Sequence, residues 1–127
     1  FKQVNDRYGH LIGSRTLIAV ARLLRESTRQ HDFIARYGGD EFILVIPSCD
    51  LDAGVQVAEK IRSKIESAEF MKDEGLDLRF LTASIGCASS RDSDHDRDAL
   101  LRLADTAMYE AKVERNRVVV LGRGGAK

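Results

Sequence analysis

Two adjacent carboxylates, Asp40 and Glu41, directly follow the glycine pair Gly38-Gly39, and residues of these types at a turn can bind a metal ion. Carboxylate oxygens are ligands that hard cations such as Mg²⁺ prefer, and such cations bind phosphates in turn. Glycine has no Cβ, so the backbone beside it is open to a ligand. Since neighbouring strand residues point to opposite faces, the two carboxylates are expected on opposite sides of a hairpin. The alternative is a solvated turn whose acids only favour solubility, and the spacing does not decide between them.

A β-hairpin must position these carboxylates. They lie between two β-prone runs, residues 33–37 and 42–46, and Pro47 ends the second run. A glycine pair between two such runs predicts a tight turn, because the favoured two-residue turns need positive φ. The carboxylates are therefore expected at the tip of the hairpin.

Helices and further strands are predicted on both sides of this hairpin. Apolar residues recur at spacings of three and four over residues 1–8 and 13–28, from Asp50 or Asp52 to residue 68, and after Asp98, which is expected to cap the last helix. Further strands are predicted at 78–86 and 118–121, and a frayed glycine-rich tail at 122–127. The order α-α-β-β-α-β-α-β, with one strand added before Phe1, is the split βαβ pattern of ferredoxin-like folds. We therefore expect an α+β fold with a central, mostly antiparallel sheet flanked by helices, and with its first strand missing from this chain.

The composition limits the class of protein. The chain has 127 residues, enough for one domain over 1–127, and 20 basic against 20 acidic residues give a net charge of +0. Neutral charge argues against nucleic-acid binding, and no apolar run approaches the length of a membrane span, so no direct membrane contact is expected. The 2 cysteines give neither a disulfide framework nor metal-ligand spacing, which favours a cytoplasmic location.

Five ordered segments resemble one family. The string from Arg36 to Phe42, RYGGDEF, resembles the signature of the GGDEF-domain diguanylate cyclases. The family's FKxxND, GHxxG, TxSIG and ADxAMYxAK patterns are matched by residues 1–6, 9–13, 82–86 and 104–112. The resemblance covers nearly the whole chain and implies the palm fold shared with nucleotide cyclases and polymerases.

The resemblance also implies an activity. Two GTP molecules condense into cyclic di-GMP with release of pyrophosphate, each bound to one domain of a homodimer, and Mg²⁺ (or Mn²⁺) is the cofactor. Asp40 and Glu41 are implied as the catalytic and metal-binding residues. The residues implied to bind GTP are Phe1, Lys2, Asn5, Ser14, Gly38, Gly39, Lys112 and Arg115. An upstream sensor domain in the parent chain is a further expected partner.

A second site is implied by the RxxD pattern of Arg29 and Asp32. In the family, this pattern before the hairpin binds the product, cyclic di-GMP, and inhibits the enzyme. An arginine can pair bidentately with guanine or phosphate, and an aspartate can accept from guanine. Lys60 is where a second basic residue of that site often falls. The alternative is a surface ion pair at a helix end, which stabilises little.

Three departures from the family pattern bear on activity. The family has an acidic residue on a strand just before the segment matched by Phe1, so we expect this chain to be an N-terminally truncated fragment that is inactive alone. Ser14 stands where the family usually has an aspartate that reads guanine, and one hydroxyl replaces a carboxylate that accepts two hydrogen bonds. GTP binding is then weaker by about 1–3 kcal/mol if a guanine donor stays unpaired, unless water compensates. Finally, the family's glycine before its phosphate-binding arginine looks deleted near Arg115.

These departures leave alternatives to an active cyclase. A catalytically weak or inactive domain would act as a module that binds cyclic di-GMP through Arg29 and Asp32, or GTP through the hairpin. A third possibility is a regulatory domain that is paired with a phosphodiesterase domain in the same parent chain.

Overall fold

The elements follow the predicted order in the structure, a computed structural model that describes residues 1–121. The predicted tail at 122–127 lies outside the described residues. The helices and strands are α1 Lys2–Tyr8, α2 His10–Glu26, β1 Phe33–Arg36, β2 Phe42–Val45, α3 Leu51–Ser67, β3 Ile85–Cys87, α4 Arg97–Glu114 and β4 Val118–Val120. Two short 3-10 turns lie at Lys72–Glu74 and Ser90–Ser93. The predicted α+β class is confirmed. Among residues 1–121, no helix has both the length and the apolar character that crossing a membrane requires.

The first of two compact units consists of Phe1–Pro47 and Lys64–Leu81. Helix α1 packs against α2, and Val4 and Thr16 have no exposed surface. Gly9 joins the two helices with a φ of 91°, a region that favours glycine, and its N–H donates to Asn5 O at 2.8 Å. Because the non-helical backbone of Gly9 ends α1 and changes the direction of the chain, α2 begins at the next residue, His10. This is three residues before the predicted start.

The hairpin β1–β2 belongs to the same unit. It is antiparallel, and Arg36 pairs with Phe42 nearest the tip. The expectation of positive φ in the glycine pair is wrong, because Gly38 and Gly39 both lie outside that region. The connection runs over residues 37–41 rather than two residues, and a longer loop reverses the chain without positive φ at either glycine.

The second unit consists of Ser48–Ser63 and the chain from Thr82 onward. Strands β3 and β4 pair in parallel, and α4 connects them and packs on both. Asp50 Oδ1 accepts from Ala53 N at 2.8 Å, so Asp50, one of the two predicted caps, begins α3. Burial raises the pKa of the Cys87 thiol to about 11, so the thiol stays protonated at neutral pH and packs as a small side chain.

A strand and a helix start also differ from the predictions. The strand expected over 78–86 is regular only from Ile85, since within residues 1–121 the ladder pairs just Ile85–Cys87 with β4. Leu81 N donates to Leu78 O at 2.9 Å, a turn that an extended strand does not contain. Helix α4 is capped by Asp96 rather than Asp98, because the Asp96 side chain accepts from the backbone N–H groups of Asp98 and Ala99.

Replacing Gly86 with alanine is expected to lower the free energy of unfolding by about 2 kcal/mol, the usual range for overpacking. A Cβ at Gly86 would overlap backbone atoms of Met108 and Ala104 and would lie 2.9 Å from Ala107 C, so β3 and α4 would have to separate. Gly54→Ala on α3 is the matched control. Its Cβ meets nothing within 4 Å, and alanine favours a helix, so it should stabilise slightly. Urea unfolding of both variants checks this, and equal stabilities would contradict the tight packing of β3 on α4.

Candidate functional site

An open cleft of about 340 Å³ lies in the first unit, between the start of α1, one face of α2 and the hairpin tip. Its volume is near the lower end of the range for small-molecule sites. The lining residues are Phe1, Lys2, Asn5, His10, Ser14, Leu17, Arg36, Gly39 and Asp40. Residues far apart in sequence therefore share one concave surface.

On the helical side, Asn5 is held close against α2. A Cβ on Gly13 would overlap Asn5 Oδ1 and would lie 2.9 Å from Asn5 Cγ and 3.3 Å from Phe1 Cζ. Gly13 is buried, so its missing side chain makes the space in which the Asn5 amide and the Phe1 ring lie. Ser14, the next residue, is exposed and lines the cleft.

On the hairpin side, Arg36 fixes the loop that carries Asp40. Its Nε donates to Gly38 O at 3.2 Å and its Nη2 donates to Gly39 O at 2.7 Å. The N–H of Tyr37 donates to Glu41 O at 2.7 Å and closes the loop. Because one planar guanidinium binds two successive carbonyls, the backbone just before Asp40 has little conformational freedom.

The two carboxylates occupy different places. Asp40 is exposed and lines the cleft, whereas Glu41 is half-buried and does not line it. Glu41 Oε1 lies 3.4 Å from the place of a Cβ on Gly38, so this side chain folds back over the start of the loop. The space above Gly39 is open, because a Cβ there would meet nothing within 4 Å.

The donor set suits a magnesium ion that is held partly by substrate. Within residues 1–121, no three His, Cys, Asp or Glu side chains form a group that could enclose a metal. Mg²⁺ typically takes one or two protein carboxylates and completes its shell with waters and substrate phosphates. Asp40 supplies one carboxylate in a cleft that Lys2 and Arg36 also line. The residues present therefore fit Mg²⁺ bound together with a phosphorylated ligand.

The remaining predicted GTP residues, Lys112 and Arg115, belong to the second unit. Lys112 Nζ lies 6.0 Å from the centre of the Tyr109 ring. Arg115 caps the end of α4 with φ 64° and ψ 166°, a region essentially restricted to glycine. The altered family pattern near Arg115 therefore coincides with a backbone conformation that glycine adopts most easily.

Arg29 and Asp32 form a tight ion pair after α2. Arg29 Nη2 lies 2.9 Å from Asp32 Oδ1, and Asp32 Oδ2 accepts from the Arg29 backbone N–H at 2.7 Å. Asp32 is 5% exposed, and its hydrogen bonds with the Arg29 side chain hold its pKa below the ordinary value. The carboxylate therefore stays charged further into the acid range. Lys60, the third residue predicted for this site, is exposed on α3 in the second unit.

The residues predicted from sequence overlap only in part with the residues that line the cleft. Six predicted residues line the cleft, namely Phe1, Lys2, Asn5, Ser14, Gly39 and Asp40. Three lining residues were not predicted, namely His10, Leu17 and Arg36. Arg36 was within the quoted RYGGDEF string, but its bonds to the loop carbonyls have no signal in residue type or spacing.

Comparison with known proteins identifies a family over most of the chain. The family model described as "Diguanylate cyclase, GGDEF domain" matches residues 1–117. The chain is 40% identical over 113 residues to diguanylate cyclase DgcP of Pseudomonas aeruginosa, which covers 88% of this chain and 16% of that protein. The curated relatives are much longer than the chain, which spans 16% to 33% of five of them.

Solved structures agree as well. A form of TpbB (YfiN) from Pseudomonas aeruginosa that comprises only the GGDEF domain superposes with a TM-score of 0.83 at 33% identity, covering 94% of this chain and 69% of that one. The GGDEF domain of DgcB from Caulobacter crescentus, in complex with cyclic di-GMP, gives a TM-score of 0.80 at 31% identity over 94% of this chain and 70% of that one. The palm fold that the motifs implied is confirmed, and the chain belongs to the GGDEF-domain family of diguanylate cyclases.

Proposed function

We propose that this chain is the catalytic domain of a diguanylate cyclase, which condenses two GTP molecules into cyclic di-GMP and releases two pyrophosphates. One observation carries the proposal: Asp40 at the hairpin tip lines the same cleft as Asn5, Ser14 and Lys2. A metal-binding carboxylate, amide and hydroxyl groups for a base, and a cation for phosphates are thereby brought together.

The proposed roles follow the chemistry of the side chains. The Asn5 amide has both a donor and an acceptor for the guanine edge, and Ser14 adds a hydroxyl. Phe1 and Lys2 bind the terminal phosphates, and Lys112 and Arg115 are proposed as further phosphate contacts. Asp40, assisted by Glu41, holds Mg²⁺ (or Mn²⁺), which when bound stabilises the charge that develops on the phosphate.

The size of the cleft supports a homodimer as the active form. A cavity of about 340 Å³ suits one ligand of nucleotide size rather than two. In each condensation step, the 3′-hydroxyl of one GTP attacks the α-phosphorus of the other. A new P–O bond forms, the bond to pyrophosphate breaks, and the hydroxyl loses its proton. The second nucleotide must then come from a second copy of the domain.

We also propose product inhibition at Arg29 and Asp32, with Lys60 as an added cation. The DgcB structure contains cyclic di-GMP, which supports a nucleotide-binding role within this family. The greater length of the relatives supports a sensor domain elsewhere in the parent protein. A cytoplasmic location is proposed because GTP is a cytoplasmic substrate.

The test is to incubate the full-length parent protein with GTP and Mg²⁺ and to identify the products by mass spectrometry. Cyclic di-GMP and pyrophosphate in a ratio of 1 to 2 are expected. If the protein consumes no GTP at any protein concentration, the proposal that it is a cyclase is overturned.

The second candidate is a binding module without activity, which Ser14 and the altered Arg115 region favour. This candidate predicts no cyclic di-GMP formation. It also predicts tight cyclic di-GMP binding that Arg29→Ala abolishes. Calorimetric titration beside the product assay separates the two functions.

Ser14→Asp is expected to tighten GTP binding by about tenfold. A carboxylate accepts two hydrogen bonds from guanine where the hydroxyl accepts one, and satisfying an unpaired donor is worth about 1–3 kcal/mol. Ser14 is exposed and lines the cleft, so a larger side chain fits there. Titration with GTP measures the effect, and ATP is the control because adenine lacks the adjacent N1–H and N2–H donors with which guanine can bind one carboxylate. Unchanged GTP affinity would mean that Ser14 does not face the base.

A further inference from the structure

The side chain of Arg25, in the last turn of α2, bridges two backbone carbonyls of the loop that follows. Its Nη1 donates to Asp32 O at 3.0 Å, and its Nη2 donates to Arg29 O. The sequence gives no signal for this contact, because both acceptors are main-chain atoms. One guanidinium thus joins the helix end to both ends of the 29–32 turn.

The two carbonyls belong to the residues whose side chains form the ion pair of the RxxD pattern. Asp32 N donates to Arg29 O at 3.1 Å, so the turn also closes on itself. Arg29 Nη2 donates further to Pro47 O at 2.7 Å, beyond the end of β2. The backbone is fixed by Arg25 and the Arg29 side chain is fixed by Asp32 and Pro47, so both functional groups have set directions.

A fixed orientation of the Arg29 and Asp32 side chains favours the binding of a ligand to this pair. Each side chain or loop that a ligand must order costs affinity, and an arrangement that is already ordered avoids that cost. Both hydrogen bonds of the Arg25 side chain go to backbone carbonyls, so Arg25 acts through the turn rather than by contact with the ligand.

We propose that Arg25 is a positioning residue of the cyclic di-GMP site, which holds the 29–32 turn in the conformation that binds the nucleotide. This inference rests on the proposed product site at Arg29 and Asp32. It adds a residue that the family pattern RxxD does not include, and it predicts that the shape of the Arg25 side chain matters as well as its charge.

The experiment is calorimetric titration of the whole chain and its variants with cyclic di-GMP. Arg25→Ala is expected to weaken binding by about tenfold, as the loss of a charged hydrogen-bonding group typically does. Arg25→Lys is expected to weaken it nearly as much, because an ammonium keeps the charge but loses the planar two-armed geometry. Arg22→Ala is the matched control. Arg22 is an exposed arginine on the same helix, and its removal should change affinity less than twofold.

A second measurement isolates the turn from the ligand. Amide hydrogen exchange of Asp32 N–H should accelerate in Arg25→Ala and in Arg25→Lys, but not in Arg22→Ala, since this N–H closes the turn that Arg25 holds. Circular dichroism confirms that each variant keeps its helices. Faster exchange together with weaker binding is the result that supports a positioning role.

The outcomes distinguish the existence of the product site from the role of Arg25 in it. If the unchanged chain does not bind cyclic di-GMP, the product site and the role of Arg25 both fail. If the chain binds tightly and Arg29→Ala abolishes binding while Arg25→Ala does not weaken it, the product site stands and this inference is overturned. Full recovery of affinity in Arg25→Lys would also overturn it, because charge alone would then explain the effect.

Discussion

Asp40→Asn is expected to lower the rate of cyclic di-GMP formation by about 1000-fold, the scale at which a preorganised charge at a reacting phosphate acts. Asparagine keeps the shape of the side chain but removes the negative charge. Asp40 is the one carboxylate among the residues that line the cleft. Its replacement therefore leaves the cleft without an anionic ligand for Mg²⁺. Product formation by the longest natural form of the protein, followed by mass spectrometry, measures the effect.

A measurement of metal binding and a matched control variant make this prediction specific. Titration with Mn²⁺ in the presence of GTP should show weaker metal binding in Asp40→Asn, independently of turnover. Asp73→Asn is the matched control, because Asp73 is an exposed aspartate in the same unit that does not line the cleft. Activity of Asp40→Asn within tenfold of the unchanged protein would rule out Asp40 as the essential metal ligand.

Glu41→Gln is expected to have a smaller effect than Asp40→Asn. Glu41 folds back over Gly38 and does not line the cleft, so it acts on the metal only after its side chain moves. The two carboxylates are neighbours in sequence, and residue type alone assigns them the same role. The structure separates them by direction within the loop 37–41, which lies between β1 and β2, so strand alternation does not account for the difference.

The parts of the fold that local rules govern could be predicted from sequence. The α2 and α4 helices follow from apolar spacing, and the hairpin follows from two β-prone runs around a glycine pair. The error in β3 arose because a hydrogen-bonded partner decides where a strand forms. The strand expected over 78–86 is regular only at Ile85–Cys87, because a strand exists through its hydrogen-bonded neighbour and not through its residue types alone.

The site could be predicted only in part, for a related reason. Asn5, Ser14 and Asp40 were named because family motifs single them out, and they do line one cleft. Arg36 and Arg25 were not named, since each acts through backbone carbonyls whose positions exist only in the folded chain. Residue type indicates what a side chain can bind, whereas the fold decides which main-chain atoms it meets.

Gly13→Ala is expected to weaken GTP binding by about 10- to 100-fold, which corresponds to the 1–3 kcal/mol cost of an unpaired polar group. The added methyl would overlap Asn5 Oδ1 and press against Phe1 Cζ at 3.3 Å, so the Asn5 amide, which we propose binds guanine, must leave its place. Alanine is favoured over glycine inside a helix by about 1 kcal/mol, so α2 itself is not weakened. A loss of affinity without a loss of helix content therefore points to the cleft.

A double-mutant cycle tests whether Gly13 acts through Asn5. In the Asn5→Ala background there is no amide to displace, so Gly13→Ala should then cost less than about threefold in GTP affinity. Discrimination of GTP against ATP should fall in Gly13→Ala, since the Asn5 amide is the group that we propose binds the edge of the base. Gly54→Ala, which adds the same methyl to a helix with open space around it, should change neither quantity. An equal loss in both backgrounds would show that Gly13 serves the packing of α1 on α2 and not the recognition of guanine.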